Sequence, residues 1–157
     1  EIDRLAKEGD PKAIDFPQAL KDSGDYAFSF SGLKSAVLNY LNEKKMKGSA
    51  VNPADVAASF QAAVVEVLTA KAADALRETG YATLVLAGGV AANSALEGRL
   101  RQMTRAAGAS FYYPTPVLCT DNAAMIACRG YYQAQAGDFA DLRLNAVPGL
   151  GLSDREA

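Results

Sequence analysis

The stretch "ATLVLAGGVAANSALEGRL", Ala82 to Leu100, limits the possible folds more than any other part of the chain. Its first eight residues form a continuous apolar run, too short for a helix and closed by Gly88 and Gly89. That is the pattern of a strand buried on both faces of a parallel sheet. Ser94 and Glu97 then stand at capping-box spacing for a helix carrying Leu96, Leu100 and Met103 and stopping at Gly108. "ASFYYP" follows as a second short strand, halted by Pro114 and Pro116. Strand, helix and strand in this order predict an α/β fold with parallel strands and helices packed around the sheet.

The remaining elements fit that frame. Up to about Gly24 the signals are mixed: a short helix from Ile2 to Glu8, then Asp10-Pro11 and Phe16-Pro17, which resist helix. Residues 1–24 therefore read as an irregular lead-in. Tyr26, Phe28 and Phe30 alternate with Ala27, Ser29 and Ser31, the period of a strand with one buried face, ended by Ser31 and Gly32. Leu33, Val37, Tyr40 and Leu41 recur at helical spacing up to a lysine-rich last turn before Gly48. The best specified helix has Asn52 as cap, Pro53 at its first position, Asp55 in its first turn, a stripe from Val56 and Phe60 to Leu76, and Gly80 as its stop. A last helix is predicted from Asp121 to about Ala136, buried at its start. A short helical turn over 139–144 and a tail over 145–157 complete the chain.

At 157 residues and 50% hydrophobic composition, one domain with one core is expected. The chain starts at Glu1 and not at a methionine, which reads as a piece of a longer protein. Sixteen basic against eighteen acidic residues, net −2, exclude a strongly basic nucleic-acid binder. Lys44, Lys45 and Lys47, and Arg99, Arg101 and Arg105, are small basic groups of the kind that solvated helix faces carry. Cys119 and Cys128 have neither zinc-knuckle nor redox spacing and read as reduced thiols. No run reaches the roughly 18 apolar residues of a membrane span, and the charged first residues are unlike a signal peptide, so a cytoplasmic protein is expected.

Two strand-to-helix junctions can carry chemistry, because ligands of open α/β sheets sit beyond the carboxyl ends of strands. At the first, Gly88 and Gly89 let the backbone approach a ligand, the following helix offers free N–H groups to a phosphate, and Asn93 supplies an amide that can read a ribose or base edge. The bland alternative is a tight turn with Asn93 or Ser94 as helix cap. At the second, "VLCTDNAAMIACRG", Asp121 is either a helix cap or a buried carboxylate in need of a partner such as Mg, Mn or Fe. The chain has no histidine, so any nitrogen ligand must come from outside it. "SFSGLKS" places Lys34 near a serine-glycine turn, either a phosphate contact or a plain strand exit. No G-x-S-x-G elbow, Walker A loop or H-E-x-x-H motif is present.

Taken together, "FSFSGLKSAV", "DVAASFQAAVVEVL", "LVLAGGVAANSALEGRLRQ" and "YYPTPVLCTDNAAMIACRGYY" closely resemble the C-terminal half of the TsaD family, formerly labelled O-sialoglycoprotein endopeptidase or Gcp. The resemblance covers nearly the whole chain. It implies a lobe of the actin/Hsp70/sugar-kinase (ASKHA) superfamily, in which two α/β domains close over a nucleotide. It also implies transfer of a threonylcarbamoyl group from threonylcarbamoyl-adenylate to N6 of the adenosine beside the anticodon of tRNA. Asn93 matches the family's substrate-binding asparagine, with Gly88 and Gly89 beside the nucleotide. Asp121 matches its metal-ligating aspartate, which joins two histidines of an H-x-x-x-H motif on the N-terminal domain. The metal is iron, sometimes zinc, one per full-length subunit. Partners implied are tRNA, a paralogous TsaB-type subunit and a small TsaE-type ATPase, with no membrane. The N-terminal lobe does not match anything here, the chain beginning just after the family's "GGP" segment, so this chain alone is expected to be inactive. The alternatives are a related carbamoyl- or phosphotransferase and a non-catalytic partner subunit.

Overall fold

The computed structural model describes residues 1–148. Contacts group the chain into two units, divided between Thr120 and Asp121, and each is described by itself. The first holds helix α1 (Ile2–Ala6), α2 (Ser31–Met46), α3 (Pro53–Thr79), strand β1 (Thr83–Val85), a 3₁₀ turn (Gly89–Ala92), α4 (Ser94–Ala106), strand β2 (Ser110–Tyr112) and a second 3₁₀ turn (Pro116–Leu118). The second holds α5 (Ala123–Gln135).

Helix α3 organises the first unit. Asn52 accepts the Ala54 N–H at 3.1 Å, Pro53 and Asp55 occupy the first turn, and Gly80 closes the helix at φ 70° with its N–H on Leu76 O. Each of these signals was predicted. By length and composition alone α3 could cross a membrane, contrary to the sequence reading, yet 44% of its most apolar window is buried inside this chain. It serves as the core helix. Phe16, Leu33 and Ala63 form the buried centre, with Val37, Val56, Phe60 and Val64 packed around them. The Phe16 ring meets Tyr40 edge-on at 6.1 Å.

The lead-in lacks regular structure after α1, but it is fastened along α3 in the same direction. Asp10 N–H donates to Asp55 Oδ1 at 2.9 Å, and Ile14 N–H to Ser59 Oγ at 3.1 Å. Lys21 pairs with Glu66 at 3.0 Å. Further along, Lys71 Nζ, whose side chain is only 2% exposed, donates to Ser23 Oγ, Asp25 Oδ1 and Asp25 O. Gly9 permits the approach: a Cβ there would lie 2.1 Å from Ala54 O.

β1 and β2 pair in parallel, Thr83 with Ser110, Leu84 with Phe111 and Val85 with Tyr112, so the predicted strand–helix–strand unit and the α/β class are present. Burial on both faces is not. Leu84 and Phe111 are half-buried, and the Arg101 guanidinium lies over the Phe111 ring, whereas Val85 is 63% exposed. Among the described residues of this unit, α3 and α4 are the helices in contact with the sheet.

The strand predicted over 25–30 does not form. A strand needs a ladder partner, and among the described residues only β1 and β2 pair. Phe28 and Phe30 instead stack at 6.3 Å, and α2 begins directly at Ser31. The helical turn predicted over 139–144 reduces to one backbone–backbone bond, Leu144 N–H to Asp141 O at 3.2 Å. Of the predicted tail, 149–157 lies outside the described residues.

Candidate functional site

β1 delivers the chain to Gly88, which stands at φ 87°, ψ 175°. This region is essentially closed to residues with a Cβ, so the turn requires glycine at that position. Gly89 has no such backbone demand and opens the 3₁₀ turn, which fully buried Ala91 anchors. The turn ends at Asn93, whose N–H donates to Val90 O at 3.0 Å.

Asn93 is also the cap of α4, its Oδ1 accepting the Leu96 N–H at 2.9 Å. The predicted Ser94–Glu97 capping box is therefore absent, one residue out of register. Glu97 bonds Arg101 instead. Ser94, now the first helical residue, gives its N–H and Oγ to the Asp3 carboxylate at 3.2 and 2.9 Å. The anion at this helix start is thus a side chain of the lead-in, placed where the dipole favours it. The other end of the Asn93 amide donates from Nδ2 to Gln61 Oε1 of α3 at 2.7 Å.

These groups border a cleft of about 840 Å³ lined by Asp3, Phe60, Gln61, Leu68, Gly89 and Asn93 among others. Small-molecule sites typically span about 300–1,000 Å³, mostly apolar with a few placed polar groups. Gly89 and Asn93 are thus brought together, while Gly88 shapes the loop without lining the cleft. Lys34 lines a neighbouring apolar cleft that shares Phe30 and Phe60 with this one. Within the basic groups, Arg99 faces Glu66, Arg101 faces Glu97, and Lys47 pairs with Glu43.

The second junction departs from its sequence reading twice. The cap of α5 is Asn122, which accepts the Met125 N–H at 3.0 Å, and Asp121 is not the cap. Nor is the helix start buried: Asp121 is exposed, α5 has no buried residue, and Ile126 is 68% exposed. No described residue of its own unit covers it. The Asp121 carboxylate is thereby left uncommitted to capping, a hard oxygen donor at a helix start. Among the described residues no three His, Cys, Asp or Glu side chains gather to hold a metal. One carboxylate does not fit a metal centre by itself; it fits one ligand of a centre with other donors. Both cysteines are free thiols, Cys119 buried and Cys128 exposed. Burial, and then Cys119, pushes the Tyr113 phenol above its ordinary pKa.

A family model for TsaD, tRNA N6-adenosine threonylcarbamoyltransferase, matches residues 1–128. The chain belongs to the TsaD family. Curated relatives agree, each named tRNA N6-adenosine threonylcarbamoyltransferase. The protein of Desulfitobacterium hafniense (strain Y51) is 56% identical over 152 residues, which is 97% of this chain and 45% of the relative. That of Clostridioides difficile (strain 630) is 52% identical over the same shares. A third, from Symbiobacterium thermophilum, is 50% identical over 97% of this chain and 44% of its own length. The chain therefore spans under half the length of these TsaD relatives.

Sequence reasoning missed Asp3 and Gln61. Asp3 lies in a lead-in with no periodicity, and its contact with Ser94 crosses 91 positions. Gln61 had one available signal, a lone amide beside Phe60 in an Ala- and Val-rich helix.

Proposed function

We propose that this chain is the adenylate-holding lobe, of ASKHA type, of an enzyme that transfers a threonylcarbamoyl group from threonylcarbamoyl-adenylate to N6 of the adenosine beside the anticodon of tRNA. The observation that carries this reading is the cleft in which Gly89 and the fixed amide of Asn93 meet an apolar wall. The Gly88 turn shapes the loop, the apolar side chains shelter the ligand from water, and Asn93 orients it. Asp121 would be one ligand of a divalent metal, iron or zinc, completed by two histidines of the longer family members. Lewis-acid polarisation of the carbamoyl group is the chemistry such a cation supplies. A cytoplasmic setting, a paralogous subunit and a small ATPase belong to the same reading.

The test is a transfer assay with purified threonylcarbamoyl-adenylate and tRNA. A full-length form should modify tRNA, an Asn93→Ala change in it should raise the KM for the adenylate at least tenfold, and this chain alone should give no product. Wild-type kinetics in the Asn93→Ala enzyme would sink the assignment of Asn93.

A further inference from the structure

Gln61 has no part in the reading above, yet it holds the residue on which that reading turns. A backbone N–H can only donate, so the atom of the Asn93 amide that meets Leu96 N–H at 2.9 Å must be the oxygen. This forces Nδ2 to the other side, where it donates to Gln61 Oε1 at 2.7 Å. The polarity then passes on: with its oxygen turned to Asn93, Gln61 has only its own NH₂ group left facing elsewhere. Among the described residues, one N–H of Asn93 Nδ2 and both of Gln61 Nε2 have no protein acceptor. Both residues line the cleft. A single helix-start N–H thus sets two amides so that this corner offers donors and asks for acceptors: a carbonyl, a ring nitrogen or a sugar oxygen.

We infer that Gln61 is a positioning residue for the ligand site. By accepting from Nδ2 it locks the Asn93 side chain on its second axis, so the remaining Asn93 N–H is fixed before an acceptor-rich ligand arrives. Without Gln61 the Leu96 bond alone restrains the amide, and its NH₂ group is free to swing. This inference rests on the adenylate reading of Asn93.

The experiment uses this chain, neutral adenosine as probe, and the variants Gln61→Met, which keeps shape without an acceptor, and Gln61→Glu, which keeps an acceptor oxygen. In nitrogen–proton spectra the two Asn93 side-chain amide protons should be widely split, collapse toward each other in Gln61→Met and stay split in Gln61→Glu. Adenosine should shift the Asn93 signals and bind roughly three- to tenfold more weakly to Gln61→Met, the worth of one neutral hydrogen bond; Gln61→Glu, which lacks the Nε2 donors, is read by the Asn93 splitting and not by affinity. An unchanged Asn93 pair in Gln61→Met overturns the positioning role, as does a lost splitting with unaltered adenosine affinity. If adenosine leaves the wild-type Asn93 signals unmoved, the adenylate reading of Asn93 fails and takes the ligand role of Gln61 with it. That failure is told apart because the splitting still reports the Gln61 contact.

Discussion

At Gly88 the backbone stands at φ 87°, ψ 175°, with open space where a Cβ would go. The obstacle to a side chain there is therefore conformational and not steric crowding by neighbours. Gly88→Ala should cost about 1–3 kcal/mol of stability, whereas Gly89→Ala, free of that constraint, should change the urea midpoint little. Equal losses from the two would show that the strain does not sit at Gly88. The same scale shows where the sequence was legible. A glycine pair after an apolar run announces the turn, but which residue caps the next helix is decided by the dihedral angle at which the helix begins. Where capable residues stand side by side, as in Asn93-Ser94 or Thr120-Asp121-Asn122, composition cannot choose. The structure takes Asn93 in the first case and Asn122 in the second.

For elements, the informative case is α3 and the segment fastened along it. The helix was readable because cap, proline, stripe and stop are all local. The lead-in was not, because the groups that hold it lie about 45 positions away, as Ile14 to Ser59 shows. A lone lysine inside "VLTAKAADAL" was the available clue. The Ser23 hydroxyl first, and then Lys71, holds the Asp25 carboxyl below its usual pKa. A lowered folded pKa means that the contribution is fully present above the unfolded value of about 3.9 and is lost as pH falls through the folded one. Amide exchange over 20–28 should therefore accelerate below that range more in wild type than in Asp25→Asn. In Lys71→Met it should already be fast at neutral pH, while β1 and α4 keep their protection. Uniform loss of protection would show that the lead-in and the sheet open together.

Across the whole molecule, metal chemistry is decided by what the chain does not supply. It has no histidine, and its described residues bring no three acidic or thiol groups together. Asp121 stands exposed before a helix capped by its neighbour. Family membership was legible from four spaced motifs, yet the burial expected around Asp121 was not. An apolar helix is hydrophobic toward whatever covers it, and a sequence does not say whether that cover lies in the same chain. A carboxylate alone in water binds Fe(II) or Zn(II) weakly, since tight sites need several converging ligands. Equilibrium dialysis of this chain should thus find no stoichiometric iron or zinc at micromolar metal, and Asp121→Ala should change nothing there. In a full-length protein that contains this chain, Asp121→Ala should lower retained metal at least tenfold without unfolding the protein. Tight one-to-one iron on this chain, abolished by Asp121→Ala, would place the remaining ligands within these 157 residues and overturn the shared-site reading.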